Sequence, residues 1–173
     1  MIKEKDLFKN GALITDVLIN NDTVRFVNVH FESFRFDKDH YKTVRSFYNT
    51  NFNDIHFEDI KHLGHALKRG FQNRAKEIEI IDSIINKSNY PSILSCDLNE
   101  SPSSNGYRKL SANLQDAFLD SGFGISSTTT INYPLRIDYL LFSEELKSYN
   151  YRTDKEKVLS DHFPIICNFT LEP

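Results

Sequence analysis

The chain has 173 residues, a formal net charge of −3 and a pI of about 6.1. This length is enough for one domain with its own core. The mild acidity argues against a general nucleic-acid coat protein, which requires a strong excess of basic residues. Cys96 and Cys167 form no paired motif, which argues against a disulfide framework or a cysteine-rich zinc site.

The sequence carries no sign of membrane insertion or export. No stretch is long and apolar enough to span a bilayer, and the first ten residues lack the apolar segment of a secretory signal. The location is unknown from the sequence; the reducing cytoplasm is the default expectation, which a targeting or membrane segment upstream of Met1 would change.

Two β-rich segments open the chain, residues 12–19 and 23–30, with a short polar stretch between them. This pattern predicts a β-hairpin. Alternation in the second segment puts four residues on one face: Val24, Phe26, Asn28 and His30. A polar pair at the end of an otherwise apolar face is typical of either a site or the edge of a sheet.

A long amphipathic helix is predicted from about Gly64 to Ser88, because apolar residues recur there at helical spacing. Residues 33–64 are polar and aromatic, and indicate short helices or an insertion that forms either one wall of a cleft or a packed excursion. His62 and His65 lie one turn apart and could share a metal. Because no third ligand can be named, a solvated helix face is the favoured interpretation.

Three further strands are expected, at residues 92–96, 134–142 and 164–171, with a short helix over Ser103–Leu110. Strands that alternate with a long helix predict one domain, residues 1–173, of the layered α+β or α/β class. Six basic residues are candidate sources of local positive potential, although solvated surface charge is the favoured role for them: Lys68, Arg69, Arg74, Arg108, Lys109 and Arg136.

Asp97 and Asn99 directly follow the buried segment 92–96. Residues two apart in an extended chain project the same way, so a carboxylate and an amide would lie side by side at the end of a strand. The carboxylate could hold or deprotonate a water, and the amide could contact a phosphate oxygen or a metal. The alternative is a strand that ends in an Asx-turn.

Asp138, Asp161 and His162 are the remaining candidates. Asp138 lies among apolar residues, where a carboxylate is costly unless it is paired, either with an imidazole N–H or with a Lys or Arg. The adjacent side chains of Asp161 and His162 point apart, so one could face a cation such as Mg²⁺ and the other a substrate. The alternative is a loop aspartate that caps backbone amides beside a histidine that only packs.

Four motifs in order resemble the endonuclease/exonuclease/phosphatase superfamily: FVNVHFES (26–33), CDLNESP (96–102), RIDYLLFS (136–143) and LSDHFPI (159–165). Each motif alone is moderately specific, and the four in this order and spacing are strongly so. The resemblance covers the chain from about residue 12 to its end. It implies part of a four-layered α/β sandwich with a mixed, mostly antiparallel β-sheet flanked by helices.

The resemblance also implies a role for each residue at a matching motif position. His30 would contact the scissile phosphate and stabilise its charge. Asp97 would align or deprotonate the attacking water, and Asn99 would bind phosphate or support the metal.

For the two later motifs, the resemblance implies that Asp138 orients His162, which would touch the phosphate or assist catalysis. Asp161 would ligate a Mg²⁺ or Mn²⁺ ion. The implied partner is a phosphoester substrate, which is a nucleic acid, a phospholipid, or a sugar or inositol phosphate.

Two features depart from the family pattern. Cys96 stands where the family has glycine and Leu98 where it has an aromatic residue; strand alternation points Cys96 away from the face of Asp97, which makes the exchange tolerable. The family's N-terminal motifs, which carry its principal metal-binding glutamate, have no counterpart before His30. We therefore interpret the chain as the C-terminal portion of a family domain, roughly three-fifths of it.

Such a portion would expose an apolar face and a sheet edge, which favours a homo-oligomer or pairing with an N-terminal fragment. The resemblance implies a metal-dependent hydrolase of phosphodiesters or phosphomonoesters that uses a metal-activated water. With an incomplete site, the isolated chain is expected to be weak or inactive. The alternative is a non-catalytic remnant, or a phosphate-binding or interaction module, with the same fold.

Overall fold

The computed structural model describes residues 11–34, 36, 38–48, 56–130, 135–156 and 160–171. Its elements in chain order are β1 (Ala12–Ile19), β2 (Asp22–His30), α1 (Lys38–Tyr48), α2 (Phe57–Asn86), β3 (Ser92–Asp97), α3 (Asn105–Leu110), β4 (Gln115–Asp116), α4 (Ala117–Ser121), β5 (Asp138–Phe142), β6 (Leu146–Thr153) and β7 (Ile165–Leu171). Among these helices, none has the length and apolar character that crossing a bilayer requires.

The strands form two sheets. Five strands make the larger one, in the order β1-β2-β3-β5-β4, and β6 pairs with β7 in the smaller one. Among the described strands, β2 and β3 are the parallel neighbours and the other adjacent pairs are antiparallel. The mixed, mostly antiparallel sheet expected from the sequence is thus confirmed.

The β1–β2 hairpin forms where the sequence predicts it. Its two turn residues, Asn20 and Asn21, have φ values of 50° and 77°. Two left-handed residues in a row match the twist of antiparallel strands, and asparagine adopts this conformation more readily than most residues.

Side-chain alternation gives the central sheet two different faces. On the first face, residues of β2, β3 and β5 form a core with α2 and α3: Val27, Val29, Leu94, Cys96, Tyr139, Leu141, Ile78, Ile81, Ile85, Tyr107 and Leu110. On the second face, Val24, Ile93 and Phe142 pack with residues of β6 and β7. The result is a helical layer, a five-stranded sheet and a two-stranded sheet.

Three element boundaries differ from the prediction. The helix α2 has 30 residues and begins at Phe57, ahead of the predicted Gly64, because the Asp59 carboxylate accepts the His56 backbone N–H and caps its first turn. The short helix begins at Asn105. The predicted 134–142 strand begins at Asp138 in the structure, and residues 131–134 lie outside the described part of the chain.

The predicted short helices between residues 33 and 64 are confirmed in part by α1, which packs on α2. Residues 35, 37 and 49–55 of that stretch lie outside the described residues. The role of the 33–64 stretch as a cleft wall therefore stays a prediction.

The outer strand β1 is exposed along its whole length. All eight of its residues are exposed, and Leu13 and Leu18 reach 67 % and 70 %. Within the described residues only β2 pairs with it, which leaves its other edge open. An apolar edge strand of this kind is a template for pairing with a further strand.

Candidate active site

The parallel pair β2–β3 brings His30, Asp97 and Asn99 together. His30 lies opposite Asp97 in the register of the two strands. Its Nε2 is 3.3 Å from Asp97 Oδ2 and 3.5 Å from Asn99 Nδ2. The Asn99 amide also donates to the carbonyl of Phe31 at 3.1 Å, which ties the two strand ends together.

Asn99 has a left-handed backbone with φ of 54°. The Asp97 Oδ1 accepts the backbone N–H of Asn99 at 2.9 Å, which is the Asx-turn of the alternative interpretation. The other carboxylate oxygen, Oδ2, remains directed at His30. The Asx-turn therefore does not prevent the contact with His30, because each uses a different oxygen of the Asp97 carboxylate.

Among the described residues, Asp138 pairs with the imidazole of His162 and not with a Lys or Arg, the two kinds of partner that its sequence position left open. The Nδ1 atom of His162 is 2.9 Å and 3.1 Å from the two carboxylate oxygens of Asp138. Asp138 also lies opposite Asp97 in the antiparallel β3–β5 register, and His162 Nε2 is 3.9 Å from Asp97 Oδ2. An imidazole held through Nδ1 presents its Nε2 to the cluster.

The five predicted residues thus meet at one end of the second sheet face. A cleft of about 260 Å³ there is lined by His30, Asp97 and Asp138 together with Phe163 and the polar part of that face. The smaller sheet covers the other end of the face, so the site forms where that cover stops.

Asp161 is placed differently from the other candidates. Its side chain is exposed and lies outside the Asp97–Asp138–His162 cluster of donor atoms. Its backbone carbonyl accepts the N–H of Thr130 at 2.9 Å, and its charge helps to raise the pKa of His162. Its role as a metal ligand remains a prediction.

Burial and charge shift two pKa values in the cluster. Burial, followed by the nearby charge of Asp138, raises the pKa of Asp97 above its usual value. For His162, burial lowers the pKa, but the charge of Asp138 and its hydrogen bond together raise it more, so that the net shift is upward. Each shift favours the protonated form.

We expect the free energy of unfolding of the metal-free protein to fall as the pH rises above about 6.5. Because the pKa of His162 in the folded protein lies above its ordinary value of 6.5, its contribution to stability is complete below pH 6.5 and is lost as the pH rises through the folded value. Urea unfolding in EDTA measures this, and His162→Gln is the control that should flatten the profile. An equal fall in both proteins would show that other groups cause it.

The cluster has the composition of a metal site. Ligand atoms of Asp97, Asp138 and His162 all lie within 4.8 Å of one another. Asp97 and Asp138 are neighbouring carboxylates, and the pKa of Asp97 is raised. A hard divalent cation bound between them would stabilise their ionised forms. His62 and His65 are exposed on α2 and belong to no such group among the described residues.

Arg74 is a structural part of this region that the sequence interpretation missed. It is fully buried, with 0 % of its side chain exposed, so the expectation of solvated surface charge was wrong. Its Nε donates to Glu100 Oε1 at 2.6 Å, and its Nη1 donates to the carbonyl of Glu32. The guanidinium also lies over the rings of Phe34 and Phe71, at 4.5 Å and 5.3 Å from their centroids.

These contacts join the segment after His30 to the segment after Asn99. Glu77, one turn further along α2, accepts the backbone N–H of Glu32 at 2.7 Å, and burial raises its pKa. The helix therefore holds both strand ends that carry site residues.

Arg136 is the second basic residue for which the expected role, a solvated surface charge, was wrong. It is buried, donates to Asp116 at 2.6 Å, and lies over the rings of Phe118 and Tyr139. The other four basic candidates are exposed, as predicted: Lys68, Arg69, Arg108 and Lys109.

Neither family models nor curated proteins match the chain. Among solved structures, TDP2 from D. rerio complexed with single-strand DNA product matches with 14 % identity and a TM-score of 0.60, over 92 % of this chain and 61 % of that one. The catalytic domain of human Nocturnin matches with 15 % identity and a TM-score of 0.55, over 93 % and 52 %.

A third match is the mannosyl-6-phosphatase Bt3783 of Bacteroides thetaiotaomicron, with 15 % identity and a TM-score of 0.53, over 88 % of this chain and 53 % of that one. The chain thus spans about half to three-fifths of the length of these structures. At such low identity the matches concern the fold, and they agree with the fold that the motifs implied.

Proposed function

Because the chain has the endonuclease/exonuclease/phosphatase fold, we propose that it is the C-terminal part of a metal-dependent phosphoesterase domain. The observation that carries the proposal is the clustering of five polar side chains, each within 4 Å of another member: His30, Asp97, Asn99, Asp138 and His162. Three of them, His30, Asp97 and Asp138, line one cleft. The names of the matched structures, a mannosyl phosphatase and a protein with bound DNA product, agree with phosphoester chemistry.

Each residue has a chemical task in this proposal. Asp97, whose pKa is raised above its usual value by burial and by the charge of Asp138, accepts a proton from the attacking water. His162, oriented through Nδ1 by Asp138, donates from Nε2 to the charge that develops on the phosphate. His30 and Asn99 lie close enough together to donate to oxygens of the same phosphate.

A Mg²⁺ or Mn²⁺ ion would be held at the Asp97 end of the Asp97–Asp138–His162 cluster, with Asn99 beside it. Asp161, which is exposed and lies outside that cluster, is a further proposed ligand. When bound, the ion neutralises charge on the phosphate oxygens and lowers the pKa of a coordinated water.

The direct test is hydrolysis of bis(p-nitrophenyl) phosphate and p-nitrophenyl phosphate by the purified chain, with Mn²⁺ or with EDTA. We expect slow turnover that requires Mn²⁺, and the faster of the two substrates assigns the diester or monoester class. Absence of turnover at high protein concentration would favour the alternative, a non-catalytic phosphate-binding module with the same fold. The reason to keep that alternative is that the match covers only 53 % of the phosphatase chain.

The proposal also includes a second polypeptide segment that covers β1, supplied in the isolated protein by another copy of the chain. We expect concentration-dependent self-association in size-exclusion chromatography with light scattering, and binding of an apolar dye. Leu18→Lys should weaken both effects, because it places a charge on the open edge strand.

Leu119→Lys is the matched control for this experiment. Leu119 is 71 % exposed, almost the same as Leu18, but it lies on α4 rather than on β1. A wild-type monomer without dye binding, or equal effects of the two substitutions, would contradict the role assigned to β1.

A further inference from the structure

Thr128 is completely buried and is bonded to the start of β5. Its side chain is 0 % exposed, and its hydroxyl oxygen accepts the backbone N–H groups of Ile137 and Asp138 at 3.1 Å and 3.2 Å. Its own backbone N–H donates to the carbonyl of Leu135 at 2.9 Å. Three hydrogen bonds therefore fasten this one residue to the chain that leads into Asp138.

The same segment is bonded to the loop that carries His162. The carbonyl of Thr128 accepts the N–H of Phe163 at 2.9 Å, and Thr129 forms an isolated antiparallel bridge with His162. Residues 128–130 thus connect the segment that carries Asp138 to the loop that carries His162. These two residues are 24 positions apart in sequence.

We propose that Thr128 is a positioning residue that sets the alignment of Asp138 with His162. Asp138 is the first residue of β5, so the hydroxyl fixes its backbone at the point where the sheet begins. Without this acceptor two partly buried N–H groups lose a partner, and the strand start shifts to find another. A hydrogen bond weakens steeply as its length and angle change, so a small shift is enough to uncouple the imidazole from the carboxylate.

The test compares Thr128→Val, which keeps the shape and removes the hydroxyl, with Thr128→Ser, which keeps the hydroxyl. The readout is the downfield proton resonance of His162 Nδ1–H in the hydrogen bond to Asp138, recorded by NMR on the full metal-free chain. We expect the resonance to be lost or moved upfield in Thr128→Val and retained in Thr128→Ser. In the hydrolysis assay, kcat should fall about tenfold in Thr128→Val with KM little changed.

Thr129→Val is the matched control. The hydroxyl of Thr129 is also buried but has no hydrogen-bond partner in the described part of the chain, so its removal should leave the resonance in place. If Thr128→Val keeps the wild-type resonance, or Thr129→Val loses it equally, the proposal is wrong. The kinetic readout rests on the proposed phosphoesterase function, whereas the NMR readout does not. Failure of that function can therefore be distinguished from failure of the role proposed for Thr128.

A measurement on the unmodified protein covers the case in which Thr128→Val does not fold. In native-state hydrogen exchange, the amides of Ile137, Asp138 and Phe163 should be protected to a similar degree, because all three donate to Thr128. Fast exchange at Ile137 and Asp138 beside a protected Phe163 would overturn the proposal.

Discussion

Replacement of His162 by alanine is expected to lower Mn²⁺-dependent phosphoester turnover at least about a hundredfold. The physical reason is that His162 is held by Asp138 at 2.9 Å with its Nε2 directed into the cluster, so its loss removes a donor to the phosphate. The measurement is the rate of p-nitrophenol release under saturating Mn²⁺. Asp138→Asn should cause a smaller loss, because it leaves the imidazole in place but weakens its orientation.

The control for this experiment is His62→Ala, which removes an exposed histidine on α2 that lies outside the metal-ligating cluster. It should keep wild-type turnover. Equal rates for His162→Ala and the wild type would show that any measured hydrolysis does not come from this cleft.

The largest effect on stability is expected for Arg74→Met, a loss of about 3–5 kcal/mol in the free energy of unfolding. Removal of the guanidinium leaves the Glu100 carboxylate, whose side chain is only 6 % exposed, without its charge partner. It also frees the carbonyl of Glu32 and the faces of two aromatic rings. Urea denaturation of the full chain, followed by circular dichroism, measures the change.

Two further variants separate the ion pair from general damage to the helix. Arg69→Met, at an exposed position on α2, should change the stability by no more than about 0.5 kcal/mol. The double variant Arg74→Met/Glu100→Gln should lose less than the sum of the two single variants, because the buried charge left behind has also been removed. Strict additivity would mean that the two residues do not act as a pair.

The sequence predicted which polar residues lie near one another better than it predicted the contacts that support them. His30, Asp97 and Asn99 follow or end segments with clear alternation, so their position at strand ends can be inferred locally. The partner of Asp138 cannot, because His162 is 24 positions away and only the fold brings the two together. The motif resemblance supplied that pairing, whereas the residue pattern left a Lys or Arg equally open.

Arg74 shows a signal that was present but misinterpreted. It lies between Phe71 and Ile78 at the spacing of the apolar stripe of α2, and a basic residue on that stripe indicates a buried charge that needs a partner. The partner, Glu100, is 26 positions away and could not be identified from spacing alone.

The strand β6 was missed for a different reason. Its sequence, LKSYNYRT, is largely polar, and its alternation is interrupted by a register shift between Tyr149 and Arg152. Asn150 within that shift has a φ of 55°. A bulge of this kind changes which side chains face the core, so a simple period of two does not detect the strand.

The central claim is that residues far apart in sequence form one phosphate-binding cleft, and a titration with inorganic phosphate in the presence of Mg²⁺ tests it most directly. The chain has six histidines, whose imidazole resonances can be followed together by NMR. The account predicts that His30 and His162 shift with a single dissociation constant while His62 and His65 do not move. Unchanged resonances of His30 and His162, or different constants for the two, would contradict it.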